Sequence, residues 1–211
     1  MVMDAAGDRV YTLGLRERWS TGSGLSCYNI ASNGFIALGQ ANKDLGPYHL
    51  MTMPALARVL VSGAMKDAKL LVYDLDLKEV DQIELKPGLD NTGYMLAVSD
   101  TRFLGWIGDR VSTNTTLYLY DLPAKKMLAT ATIEGLAVWV TKRAADQTFW
   151  LLQDQALARL DPETLELKWA GTLDCGLRYP VMSGSSSHRG RPVWVGKELY
   201  GANNGSLVRT A

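Results

Sequence analysis

Cysteine is scarce in this chain: Cys27 and Cys175 stand far apart among 211 residues. That spacing gives neither a metal-ligand pair nor a disulfide framework, so both thiols are expected to be ordinary buried or half-buried groups. Histidine is as rare, with His49 and His188 alone. Charge of one sign is not in excess, since 22 basic residues balance 22 acidic ones. A chain with zero net charge lacks the global field that gathers nucleic acid or anionic lipid, and neither is expected as a partner. The opening "MVMDAAGDRVYTLG" has no basic head followed by an apolar run, and no window approaches the roughly 20 apolar residues that span a bilayer. The sequence therefore reads as soluble and without a signal peptide. It also lacks a glycine-rich phosphate loop, a paired-cysteine metal motif and a basic aromatic stripe, so no cofactor or metal is expected.

What the sequence does have is apolar residues, 47% of the total, arranged in short β-prone runs. In "LARLDPETLELKWAGTL" (Leu157 to Leu173), a strand ends at Asp161, "PETLE" turns the chain and a second strand returns. Pro162 pre-sets the backbone for turning, and the Asp161 side chain can bond backbone groups just after it. Comparable units are "GLSCYNIASNGFIALG", "KLLVYDLDLKEVDQIEL", "TLYLYDLPAKKMLATATI" and, more weakly, "KELYGANNGSLVRTA". The residue before each turn is Tyr28, Tyr73, Tyr120, Leu160 or Tyr200, giving spacings of 45, 47, 40 and 40. A period near 40 to 45 residues is what a four-stranded propeller blade requires.

The segments between the hairpins supply further strands: "HLMTM" with "ARVLVSG", "GYMLAVS" with "RFLGWIG", "GLAVWVT" with "TFWLLQ", and "YPVMSG" with "PVWVG". The first unit begins with "VMDAA" and "RVYTLG". The best helical spacing is "ALARVLVSGAM" behind Pro54, but its valine-rich centre and its place in the repeat favour a strand. The expected fold is thus an all-β propeller of about five four-stranded blades in a single domain, 1–211, with blades near 1–40, 47–86, 92–133, 135–173 and 178–211. The alternative is part of a larger propeller, which as an incomplete ring could form a homo-oligomer. Trp106, Trp139, Trp150, Trp169 and Trp194 are expected to pack between blades.

A strand ending in Tyr-Asp or Leu-Asp, a turn, and a returning strand with Lys or Trp resembles the repeats of quinoprotein-like and YVTN-like β-propellers, relatives of the WD-repeat group. The resemblance covers nearly the whole chain. It implies a propeller, and it leaves activity open between a binding scaffold and a propeller enzyme or enzyme subunit, of glycoside hydrolase or quinoprotein and amine dehydrogenase type.

Function in such folds sits on loops held by rigid blades. The longer connections combine Arg16, Arg18, Trp19, Lys43, Asp44, His49, Asp90, Asn91, Asp109, Arg110, Asp174 and Arg178, all assigned here to one rim. Mixed charge beside an aromatic residue suits a protein, peptide or carbohydrate ligand. A non-enzymatic binding or scaffolding role is therefore the expectation, and no catalytic residue is assigned. Glycoside hydrolysis would need two converging carboxyl groups. Asp4, Asp90, Asp100 and Asp174 lie near strand ends with no basis for pairing, whereas Asp74, Asp121 and Asp161 recur at one repeat position and are expected to shape turns. The run "SGSSSHRGR" (Ser183 to Arg191) reads as a loop whose arginines could grip a phosphate or carboxylate.

Overall fold

The computed structural model describes residues 1–4, 6–14, 24–38, 46–64, 69–85, 94–109, 114–135, 138–153, 156–172, 192–203 and 206–210. Among these, regular structure is almost wholly β, with one 3-10 turn at Pro54–Leu56. The first sheet contains β1 (Val2–Met3), β2 (Arg9–Leu13), β3 (Leu25–Asn29) and β4 (Gly34–Leu38). The second contains β5 (Gly46–Met53), β6 (Arg58–Ala64), β7 (Lys69–Tyr73) and β8 (Glu79–Glu84), and the third β9 (Met95–Ala97), β10 (Arg102–Asp109), β11 (Asn114–Asp121) and β12 (Lys126–Glu134). The fourth contains β13 (Val138–Arg143), β14 (Thr148–Gln153), β15 (Ala156–Leu160) and β16 (Leu167–Thr172). Three described strands, β17 (Val193–Val195), β18 (Glu198–Asn203) and β19 (Ser206–Thr210), form the fifth. Within every sheet the spatial order follows the chain order and neighbours run antiparallel. This is the β-propeller of about five blades that the repeat spacing implies.

Strand position explains strand composition. A strand inside a sheet that is covered on both faces reads as a continuous apolar run, as "KLLVY" of β7 does, with only Lys69 not buried. An outer strand such as β12 alternates between half-buried and exposed positions along most of its length, because only one of its faces is covered. The segment after Pro54 follows the same logic. Pro54 opens one 3-10 turn, Ala57 takes the left-handed conformation at φ 52°, and β6 then runs on with Val59 and Val61 fully buried.

Two compact units make up the chain: Met1–Asp109 with Tyr120–Leu128, and Arg110–Leu119 with Ala129–Ala211. In the first unit Tyr11, Leu25, Cys27, Leu50, Val59, Val61, Leu71, Tyr73 and Leu77 form one core between the first and second sheets. Burial pushes the Cys27 thiol pKa up, as befits an inert core group. In the second unit Leu152 and Leu199 pack with Trp139, Leu157 and Trp194.

The tryptophans divide. Trp106 is 5% exposed and stacks 5.6 Å from Tyr94, and Trp139 and Trp194 join the second unit's core. Trp150 lies 5.6 Å from Trp194. Trp169 departs from expectation: it is 53% exposed on β16, the outer strand of its sheet, where no further strand covers it among the described residues.

Candidate functional site

The turns that end the third strand of four sheets share one construction. Asp74 Oδ1 accepts from the backbone N–H groups of Asp76 and Lys78 at 3.0 and 2.9 Å. Asp121 Oδ1 accepts from Ala124 N at 3.0 Å, and Asp161 Oδ1 from Glu163 and Thr164 N at 2.9 and 3.1 Å. Asn29 does the same in the first sheet, accepting from Ser32 N at 3.0 Å. Each turn then places a non-glycine residue at positive φ: Asn33 at 50°, Leu77 at 63°, Lys125 at 51° and Leu165 at 61°. The left-handed conformation costs an L-residue about 1–2 kcal/mol. Burial of Leu77 and Leu165 offsets it, as do the side-chain bonds that fix each turn. Asp4 also serves a turn, accepting from Asp8 and Arg9 N. These carboxylates are structural.

The turn after Asp121 helps to form a cleft in the first unit, of about 340 Å³. Leu56, Val72, Val80, Leu122 and Pro123 give it apolar walls, and Arg58, Asp81 and Lys125 give it charge. Its elements are held by identifiable bonds. Leu122 N donates to Thr101 O at 3.0 Å, and Arg102 Nε meets Asp121 Oδ2 at 3.4 Å. Positive φ at Lys125 accompanies an ammonium placed 2.6 Å from Asp81 Oδ2. Lys125 and the Gln82 N–H hold the Asp81 carboxyl below the usual carboxylate range. Arg58 Nη1 donates to its neighbour's carbonyl, Ala57 O, at 2.9 Å and makes no ion pair among the described residues. Val80 is a large apolar side chain left exposed at the edge. The cleft thus offers apolar contact beside a guanidinium whose charge is not neutralised by a described carboxylate.

A second cleft, of about 420 Å³, lies in the second unit between the turns at 146–148 and 160–167. Its Asp146 is ion-paired to Arg143 and accepts from Thr148, which holds its carboxyl far below the usual range. The Arg143 guanidinium in turn lies 5.5 Å from the Trp150 ring and 5.3 Å from the Trp194 ring. Cation–π packing of this kind ties a turn to its sheets.

Of the residues assigned to the long-loop rim, Arg16, Arg18, Trp19, Lys43, Asp44, Asp90, Asn91, Arg110, Asp174 and Arg178 lie outside the described residues. So do His188, Cys175 and Ser183 to Arg191. Asp109 is the last residue of β10. His49 requires a correction: it lies within β5, not on a connection, and is 7% exposed. Its Nδ1 accepts from Met95 N at 3.0 Å and its ring lies 5.6 Å from Tyr94, so it joins the second sheet to the third. The cleft residues Arg58, Val80 and Lys125 were not selected from sequence. They come from separate strands and turns, and nothing local distinguishes them.

No protein-family model and no curated protein matches the chain by sequence. Solved structures do match. A protein of unknown function from Bacteroides caccae superposes with TM-score 0.57 at 12% identity, over 95% of this chain and 69% of that one. Hydrazine synthase of Kuenenia stuttgartiensis gives 0.62 at 13% identity, over 94% and 59%. A chain of a mitotic checkpoint complex gives 0.62 at 9% identity, over 92% and 60%. This chain therefore spans about three-fifths of the length of the latter two. Likeness at such identity shows the fold, a β-propeller, and no more.

Proposed function

We propose that this propeller is a non-enzymatic binding or scaffolding module that holds a peptide segment of a partner protein. The observation that supports this reading is the cleft of the first unit, where apolar walls at Val80, Leu122 and Pro123 adjoin Arg58. Its best-matched ligand is an extended segment with an apolar side chain next to a carboxylate. The apolar group would cover Val80, and the carboxylate would take up the guanidinium N–H donors of Arg58. The rim of long connections, with Arg18, Trp19 and Arg110, is a second proposed face suited to a peptide or sugar.

A screen of immobilised peptides and glycans against the full chain tests the reading. Apolar-acidic peptides should be retained, and Arg58→Glu and Val80→Asp should each weaken retention at least about tenfold, the effect of 1.4 kcal/mol. Retention unchanged in both variants removes the cleft from the proposal. Retention lost instead on substituting Arg18, Trp19 and Arg110 assigns binding to the rim. No retention of any peptide or glycan overturns the binding reading itself.

A further inference from the structure

We infer that the protein self-associates through its first sheet, with β4 pairing antiparallel to β4 of a second copy about a two-fold axis. Every sheet presents an outer strand, and an uncovered outer strand is a template for pairing that proteins ordinarily blunt with charge. Here β8, β12, β16 and β19 each carry at least one acidic or basic residue, whereas β4, "GFIAL", carries none. β4 bonds only β3 among the described residues, so alternate N–H and C=O groups point away from the sheet.

Two of its apolar side chains are also exposed. Phe35 is 66% exposed and Ile36 40%, and Tyr28, paired with Phe35 across the hairpin, and nearby Ile30 extend the apolar surface.

Charge decides the occupant. A two-fold axis sets a strand against itself, so any charged residue on the axis meets its own like charge, which is repulsive. An uncharged strand escapes that penalty. Centred on Ile36, the pairing sets Ile36 opposite Ile36 of the second copy and Phe35 opposite its Ala37. Main-chain bonds supply affinity and the two aromatic rings of each copy supply apolar area, the recognised physics of strand addition. Five residues per strand make a small interface, so the dissociation constant should be on the order of micromolar. This inference is independent of the cleft.

Sedimentation equilibrium of the full chain across micromolar concentrations tests it. The expected result is a monomer–dimer equilibrium that Ile36→Lys and Ile36→Asp each weaken at least tenfold by placing like charges on the axis. An equimolar mixture of the two should form heterodimer at least as well as the unsubstituted protein forms dimer. Phe35→Lys, at a solvent-exposed position, guards against loss of folding and should also weaken the dimer. A monomer at every concentration, a dimer indifferent to Phe35→Lys, or a mixture that stays monomeric overturns the inference.

Discussion

Arg9 on β2 and Leu75 in the turn after β7 lie 66 positions apart, yet the Arg9 Nη1 donates to the Leu75 carbonyl at 2.7 Å. The Tyr11 hydroxyl donates to the same oxygen at 3.0 Å, and Arg9 also reaches Asp76 at 2.8 Å. One carbonyl with two lone pairs thus anchors the turn of the second sheet to the first.

Removing either donor should destabilise the protein by about 1 kcal/mol, the net value of a typical hydrogen bond. Asp76 is largely exposed, so Asp76→Ala should cost under about 0.5 kcal/mol. Because Arg9 and Tyr11 share one acceptor, the losses in Arg9→Ala and Tyr11→Phe should not add. Urea denaturation of the two single variants and the double variant measures this. Additive losses would mean that the two donors act independently.

Tyr11 also gives an alkaline signature. Its side chain is fully buried, and burial pushes the hydroxyl up to about 12, although the neighbouring Arg9 guanidinium opposes that shift. A folded pKa raised above the ordinary value of 10 favours the protonated form in the folded state. The associated stability is complete below pH 10 and is lost as pH rises through 12, by about 3 kcal/mol at 1.4 kcal/mol per unit. Tyr11→Phe has no such group, so its stability should fall less over the same range. Parallel curves for the two proteins would contradict the assignment.

The Asp161 carboxyl titrates in the opposite sense. Backbone N–H groups of Thr164 and Glu163 hold the Asp161 carboxyl below the usual range. Its contribution should be complete above the unfolded value near 3.8 and should be lost as pH falls through the lower folded value. Asp161→Asn keeps an acceptor oxygen without the titration, so it should flatten the acid limb. Asp161→Ala should cost about 1 kcal/mol at neutral pH. Circular dichroism melts of the three proteins between neutral and acid pH separate these outcomes.

Asp74, Asp121 and Asp161 were legible as turn formers because the bonds they make close within four residues. The repeat spacing and the apolar runs made the propeller legible for a related reason: strand pairing within a blade is local. Asn29 follows Tyr28 at the equivalent position and could have been read the same way. What was not legible depends on distant chain. Lys125 at positive φ carries no glycine signal, and its bond to Asp81 joins the turn after β11 to strand β8 of the second sheet. His49 reads as a loop residue because it closes "QANKDLGPYH", where Gly46 and Pro47 signal a turn. Its place is inside β5, where the Met95 N–H satisfies its nitrogen.

The tryptophans turn that distinction into a measurement. Trp106 and Trp169 have equal apolar area to lose, and both stand on strands in the sequence. Trp106 is buried and stacked 5.6 Å from Tyr94, so Trp106→Ala should leave a cavity and cost about 3–5 kcal/mol. Trp169 is about half exposed on β16, opposite Ala158, so Trp169→Ala removes only part of the buried surface that Trp106→Ala removes, leaves no enclosed cavity and should cost on the order of 1–2 kcal/mol. Equilibrium denaturation of both variants, with the slope against denaturant held as a control, compares them directly. A large loss in Trp169→Ala would show that another surface covers β16 in solution. That loss should then depend on protein concentration if the cover is a second copy, and be independent of it if the cover is the chain itself.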